Sequence, residues 1–149
     1  MRFVGIDLSL GAVLITLAIL ICALVLEHVH EVSRRRTAEA KGLALLKQWL
    51  SPAQLAQYEK HGSFEVMGGE SGKHYRIRPT RQMNVDELDQ YGVRSAAGCF
   101  GPEGELPIGD VMLAQKIALE NDEMAALALA NRGSIRPDLD DGAVEHVVR

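Results

Sequence analysis

The amino-acid sequence predicts an α+β protein in which a single N-terminal transmembrane helix is followed by a small antiparallel β-meander packed with helices. First, an uncharged apolar run extends from Leu8 to Leu26, and its nineteen residues are enough to cross a hydrocarbon core of about 30 Å. Second, short stretches of alternating apolar and polar residues follow, separated by glycine-rich turns. Third, segments with apolar residues at helical spacing flank these stretches, a pattern typical of helices that cover one face of a sheet.

The apolar run reads as an uncleaved membrane anchor and not as a secretory signal. A signal peptide has a basic start, an apolar centre of about 7–15 residues and a small-x-small cleavage site close behind it. Here the centre is longer, only Arg2 precedes it, and "EHVH" follows it directly. The sequence therefore predicts a short N-terminal tail over residues 1–7 and a membrane span over residues 8–26.

Cationic side chains next to the span predict its orientation. Arg34, Arg35 and Arg36 lie on the C-terminal side, whereas Arg2 and the start amine lie on the other side. Because cationic flanks stay in the cytoplasm, we expect the N-terminus outside and the domain inside. The arginines are also placed to contact anionic membrane lipid. The two cysteines, Cys22 and Cys99, do not form an evident disulfide pair, as a reduced compartment permits.

Small residues within the span carry a second signal. They recur along one stripe of the helix and comprise Ser9, Ala12, Thr16 and Ala23. Small side chains let membrane helices approach closely, so this stripe favours contact with another membrane subunit or with a second copy of the chain. Ordinary alanine and serine usage in a lone span explains the same residues, and the sequence leaves the two interpretations open.

Helical signals continue after the span. Residues 27–50 predict a juxtamembrane helical linker, with Leu43, Leu46 and Leu50 on one stripe. Ser51, Pro52 and Gln54 predict a new helix, since they suit the N-cap, the first helical position and a capping box. Gly62 suits the left-handed residue that ends such a helix.

Strand signals follow in a predicted α+β domain over residues 51–132. "SFEVM" and "KHYRIR" alternate and flank the glycine-rich "GGESG", which predicts a β-hairpin. "QMNV" and "VRSAAGCF" predict a third and a fourth strand. A long helix is then predicted from Val111 to about Asn131, with Asp110 as its N-cap and Gly133 closing it. Residues 133–149 are expected to form an acidic, mobile tail.

Three blocks of this domain resemble blocks in a small domain of uncharacterised bacterial proteins. They are "YEKHGSFEV", "YRIR" with "NVDELD" after it, and "GDVMLAQKIALE". The resemblance covers residues 43–131 and implies a bacterial origin and a shared fold. The apolar run, and not the resemblance, predicts the membrane, so the expected location of the protein is the cytoplasmic membrane of a bacterium. The resemblance implies no activity, and it does not cover the apolar run.

Motifs that would carry chemistry give no catalytic prediction. His28 and His30 are two residues apart on a helix and point to different faces, so they indicate a polar cap on the anchor, and a cofactor at either one stays an open question. Cys99 has no evident base beside it, which favours a structural thiol. "GGESGK" is not followed by a helix, so it reads as a turn and not as a phosphate loop. We expect no metal and no cofactor.

Charge patterning favours a protein partner over a nucleic acid. The net charge of −4 argues against binding driven by bulk electrostatics. A basic strip nevertheless follows the hairpin and comprises Lys73, Arg76, Arg78 and Arg81. It is a candidate surface for an acidic partner, including the protein's own acidic end, although a solvated strand face explains it as well.

Two functional hypotheses follow from these patterns. The first is a non-catalytic, single-pass interaction or accessory protein of a larger membrane complex. The second is a membrane-tethered enzyme or ligand-binding sensor, with a site near Cys99 and the helix start at Asp110. The absence of a catalytic motif favours the first hypothesis.

Overall fold

The computed structural model describes residues 4–101 and 104–133, with side chains described for 11–101 and 104–131. Most of the acidic tail predicted over 133–149 therefore lies outside the described residues. The helices and strands, in chain order, are α1 (Val4–Trp49), α2 (Pro52–His61), β1 (Phe64–Met67), β2 (His74–Ile77), β3 (Val85–Leu88), β4 (Arg94–Cys99), α3 (Ile108–Asn121), α4 (Glu123–Leu129) and β5 (Asn131–Gly133).

The chain divides into two compact units, of which the first ends at Ala40 and the second begins at Lys41. The first unit contains the apolar part of α1, whose large aliphatic side chains from Val13 to Val29 are half or more exposed. The long N-terminal apolar helix predicted from the sequence is confirmed. It is continuous through the position where the prediction changes from span to linker.

The second unit is built on an antiparallel sheet with the strand order β1-β2-β3-β4-β5. β1 and β2 form the predicted hairpin, in which Val66 lies opposite Tyr75. β3 and β4 continue the meander, with an irregularity in their register at Glu87 and Leu88. The predicted α+β class and the antiparallel meander are therefore confirmed. The third strand, however, begins at Val85, where the predicted strand "QMNV" ends, and the short strand β5 was not predicted.

One face of the sheet forms the core of the second unit. The buried side chains of this core face are Phe64, Val66, Tyr75, Ile77 and Val85, and they pack against Leu46, Leu50, Met112, Leu113 and Leu119 from the helices. Leu46 and Leu50 belong to the segment that the sequence assigns to the linker. Leu46 lies on the last turn of α1 and Leu50 directly follows the helix, so the core begins before residue 51.

A close helix crossing fixes the last turns of α1 against the start of α3. A Cβ atom placed on Gly109 would run into the backbone of Gly42 and Leu43. The reverse contact is also tight, because a Cβ on Gly42 would lie 2.8 Å from Cβ of Pro107. Glycine at both positions therefore lets the two backbones approach more closely than side chains would allow.

The predicted ends of α2 are confirmed. The Ser51 side chain accepts a hydrogen bond from the Gln54 amide at 3.3 Å, and the Gln54 side chain accepts one from the Ser51 amide at 3.1 Å. Pro52 occupies the first turn, and Gly62 ends the helix with φ of +69°. This reciprocal arrangement satisfies amide groups that the first turn of a helix leaves without partners.

The single helix predicted from Val111 to about Asn131 is wrong. α3 already begins at Ile108, so Asp110 lies within its first turn and is not the N-cap, a position held by Pro107. The helix breaks at Asp122, whose side chain accepts a hydrogen bond from the Ala125 amide at 3.4 Å and caps α4. After α4 the chain becomes strand β5 instead of ending at a glycine cap.

Candidate functional site

The apolar part of α1 has the length and composition of a membrane span, and its side chains are exposed. Ala12, Thr16 and Ala23 of the small-residue stripe are exposed, whereas Leu8 and Ser9 lie outside the residues whose side chains are described. The Thr16 hydroxyl donates a hydrogen bond to the Val13 carbonyl at 2.9 Å. Its polar group is therefore satisfied within its own helix, as a lipid-facing threonine requires.

The arginine cluster that follows is exposed and partly paired with an acid of the same helix. Glu31 lies 2.8 Å from Arg35 and 3.9 Å from Arg34, and all three side chains are at least half exposed. Such pairs contribute little to stability in water. The cluster is therefore accessible to a charged surface, as its predicted contact with anionic lipid requires.

The two histidines beside the span are exposed. Among the described residues, no group of three or more His, Cys, Asp or Glu side chains is placed to hold a metal ion. His28 and His30 therefore have no described companion ligands, and a cofactor at either one stays an open question.

The predicted basic strip does not lie on one surface. Arg76 is in register with Glu65 and Asp86, on the face of the sheet opposite the core, which we call the outer face. Lys73 is two residues from Tyr75 and therefore lies on the same side of the sheet as Tyr75, the core side. It forms an ion pair of 2.5 Å with Glu87, the residue opposite Tyr75. Arg81 is exposed in the β2–β3 connection. The structure thus separates Lys73 from Arg76 and Arg78.

A buried carboxylate organises the outer face. Asp86 is only 3% exposed and lies 2.8 Å from the Arg78 guanidinium and 3.0 Å from that of Arg94. Arg76 pairs separately with Glu65 at 2.8 Å. Two guanidinium groups therefore compensate the burial of the Asp86 carboxylate.

A second buried carboxylate, that of Glu123, fixes the hairpin turn to the start of α4. One of its oxygens accepts hydrogen bonds from the Tyr75 hydroxyl at 2.6 Å and the Ser71 hydroxyl at 2.5 Å. The other accepts from the backbone amides of Ser71 at 2.7 Å and Glu70 at 3.1 Å. In return, the Glu70 carboxylate accepts from the Met124 amide at 2.7 Å. We call this set of contacts the Glu123 clamp.

Hydrogen bonding dominates the electrostatics of this clamp. Burial alone pushes the pKa of Glu123 upward, but the hydrogen bonds from Ser71, Tyr75 and Glu70 outweigh it and lower the pKa to about 2. Burial, together with the hydrogen bond to Glu123, raises the pKa of Tyr75 above its usual range. The carboxylate is therefore ionised and the phenol neutral across the physiological range.

The glycines of "GGESGK" are explained by the same clamp. A Cβ on Gly68 would overlap the Glu123 carboxylate, and one on Gly69 would overlap the Glu120 carbonyl. The Gly69 amide donates a hydrogen bond to the Leu119 carbonyl at 2.9 Å. The prediction of a turn is confirmed, and its amides bind a carboxylate of the protein itself.

A cavity of about 640 Å³ opens beside the end of β4 and the start of α3. Its walls are mostly small or apolar and include Cys99, Phe100, Leu106, Val111, Ala114, Ala118, Ala125 and Leu129. Two buried amides, those of Asn84 and Gln115, also line it and exchange hydrogen bonds of 2.8 and 3.0 Å. Asp110 instead lies beside Gly42 at the helix crossing. Cys99 and the start of α3 thus line one cavity, but Asp110 itself is not among the residues that line it.

A scan against protein-family models, a search of curated proteins and a search of solved structures each found no match.

Several residues that define these sites were missed by sequence reasoning. They are Asn84, Asp86, Arg94, Gln115 and, in its clamping role, Glu123. The one local signal for them was the polar residue within an apolar pattern, as at Gln115 in "VMLAQKIAL". Their partners are remote in sequence, so no spacing rule identifies the pairs.

Proposed function

We propose that this chain is a single-pass, membrane-anchored accessory protein that binds a larger membrane complex and does no chemistry itself. The observation that carries the proposal is the exposed apolar segment of α1, which is continuous with the turns that supply Leu46 to a folded core. Tethering a small domain in this way raises the local concentration at which weak contacts form.

The proposed orientation places the N-terminus outside and the domain in the cytoplasm of a bacterium. Its support is the exposed arginine cluster after the span, of the kind that remains on the cytoplasmic side. Reporter fusions at each end would test it. Cytoplasmic reporter activity at the N-terminus would contradict the orientation without affecting the proposed interaction.

The proposed contacts are of two kinds. In the membrane, the stripe that includes Ala12, Thr16 and Ala23 offers a close-packing surface to another subunit or to a second copy of this chain. In the domain, Arg76 and Arg78 offer guanidinium groups to an acidic protein surface. Lys73, on the other face, would contribute only to a partner that reaches the sheet edge.

The test is solubilisation of native membranes in mild detergent, followed by pull-down through the C-terminus and identification of the co-purifying chains. We expect the same partner chains at fixed stoichiometry. A variant carrying Ala12→Leu and Ala23→Leu should lose a partner bound through the stripe, whereas the matched variant Leu14→Ile, in the same span, should keep it. Recovery of the protein without any stoichiometric partner would contradict the proposal.

A second candidate function, ligand binding, is favoured by the cavity beside β4. Its volume and its mostly apolar lining, with a few polar side chains among which are the amides of Asn84 and Gln115, are typical of small-molecule sites. The test is a fragment screen by ligand-observed NMR on the full chain and on the cavity-filling variant Ala118→Leu. Fragments that bind the wild type and the exposed control Ala128→Leu, but not Ala118→Leu, would support a ligand site. Equal binding to all three would exclude this cavity as the site.

A further inference from the structure

The cavity beside the end of β4 contains a fixed pair of polar groups, the side-chain amides of Asn84 and Gln115. Both side chains are buried, with 2% and 1% of their surface exposed, whereas the other polar side chains among the described residues that line the cavity are exposed or half-buried. The NH2 group of each amide donates to the oxygen of the other, at 2.8 and 3.0 Å. This pair is therefore the buried polar feature that a molecule inside the cavity would meet.

The N–H groups of the amide pair are already used within the protein. The second N–H of Gln115 donates to the Phe100 carbonyl at 2.5 Å, and the second N–H of Asn84 makes a longer contact of 3.5 Å with the Arg78 carbonyl. Because a backbone carbonyl can only accept, these contacts also fix which end of each amide is the nitrogen. The pair therefore has no N–H group left to donate to a ligand.

The oxygens of the amide pair keep accepting capacity. An amide oxygen has two lone pairs, and each of these two oxygens accepts one hydrogen bond, from the NH2 group of the other amide. Within residues 11–101 and 104–131, no further donor reaches either oxygen. A ligand N–H or O–H group would supply the second bond, whereas a ligand ether or carboxylate oxygen would bring one acceptor against another.

We infer that this cavity binds a compact, neutral and largely apolar molecule that carries a hydrogen-bond donor, and that the oxygens of Asn84 and Gln115 select it through that donor. The apolar body of the ligand would contact walls such as Val111, Ala114 and Ala118. Those walls disfavour an ionic group, because burying a charge among apolar side chains is costly. This inference rests on the second candidate function, a ligand in this cavity, and adds the chemical class of the ligand.

Indole and benzofuran form a matched pair of probes for this inference. They have nearly the same size and shape, but indole presents an N–H group where benzofuran presents an oxygen. An apolar cavity without an acceptor would favour benzofuran, because the indole N–H would lose its hydrogen bond to water on entry. With the amide oxygens as acceptors, we expect indole to bind about fivefold or more tightly than benzofuran.

The measurement is a titration of the full chain in mild detergent, followed through the backbone amide signals of Ala114 and Ala118 by NMR. Empty micelles titrated in parallel give the free concentration of each fragment. The cavity-filling variant Ala118→Leu should lose both fragments, whereas the exposed control Ala128→Leu should keep both. Binding of neither fragment to the wild type would contradict the second candidate function and this inference together.

The double variant Asn84→Leu and Gln115→Leu removes both amide oxygens and keeps apolar side chains of similar size. We expect its preference to reverse, so that benzofuran binds more tightly than indole. Unchanged amide shifts in β1 and β2 would show that this variant is folded, and the wild-type comparison decides the question by itself if it is not. Equal or tighter binding of benzofuran to the wild type would overturn the inference and leave a ligand site in place, and so would an unchanged indole preference in the folded double variant.

Discussion

Replacing Glu123 by glutamine isolates the contribution of charge in the Glu123 clamp. Glutamine has the same shape, and its oxygen can still accept from the amides of Glu70 and Ser71, while the two hydroxyl groups can turn to accept from its NH2. What is lost is the preference of the site for an anion. A pKa lowered from 4.5 to about 2 corresponds to about 3 kcal/mol between the charged and neutral forms. We therefore expect Glu123→Gln to lower the free energy of unfolding by about 3 kcal/mol.

Pulse proteolysis of the full chain in mild detergent, across a series of urea concentrations, measures this change, because it reads unfolding of the domain and not of the anchor helix. The matched control is Glu120→Gln on α3. Glu120 also pairs with a cation, Lys116, at 2.5 Å, but its side chain is 33% exposed. We expect the control to lose less than about 1 kcal/mol. If the free energies of unfolding of the two variants differ by less than about 0.5 kcal/mol, the charge of Glu123 does not stabilise the clamp.

Three further predictions concern acid, the helix crossing and the buried amides. The folded-state pKa of Glu123 lies below its unfolded value, so its carboxylate stabilises the fold above about pH 5 and this stabilisation is lost as the pH falls toward 2. The urea midpoint measured as a function of pH should show this loss in the wild type and not in Glu123→Gln. Gly109→Ala should lower the free energy of unfolding by about 2 kcal/mol or more, because its Cβ meets the backbone of Gly42. The control Gly101→Ala, whose Cβ would make only an ordinary contact at 3.5 Å, should lower it far less in the same assay. Gln115→Leu should lower the free energy of unfolding by about 2 kcal/mol, because the buried Asn84 amide loses its hydrogen bonds to Gln115. The double variant with Asn84→Leu should recover part of that loss.

Local signals were sufficient to predict much of the fold. The capping box at Ser51, the left-handed Gly62 and the alternation in "SFEVM" and "KHYRIR" each act within a few residues, so the sequence displays them directly. The long apolar helix could be predicted in the same way, because the hydrophobicity of about 20 consecutive residues is the signal for it.

The break between α3 and α4 could not be predicted in the same way. The segment around Asp122 has good helix formers on both sides, and nothing within it requires a stop. The break accompanies the burial of Glu123 under the hairpin turn, a contact with Ser71, 52 residues away. Tertiary contacts of this kind override helical propensity and are not visible in a periodicity.

On the outer face too, the features set by local sequence were predictable and those set by remote contacts were not. The sequence predicted the cationic residues Arg76 and Arg78 on a strand, and the structure places both on the outer face. It could not predict that Arg94 would join Arg78 on Asp86, because that pairing depends on the register of β3 and β4.

We propose that the tethered domain belongs to a larger membrane assembly. The most direct test is the mass of the particle that carries this chain, measured by light scattering after gentle solubilisation of native membranes at native abundance. We expect a defined particle several times heavier than the 16.3 kDa chain, with other chains at fixed stoichiometry. A detergent-bound particle containing one copy of this chain and no other protein would contradict it.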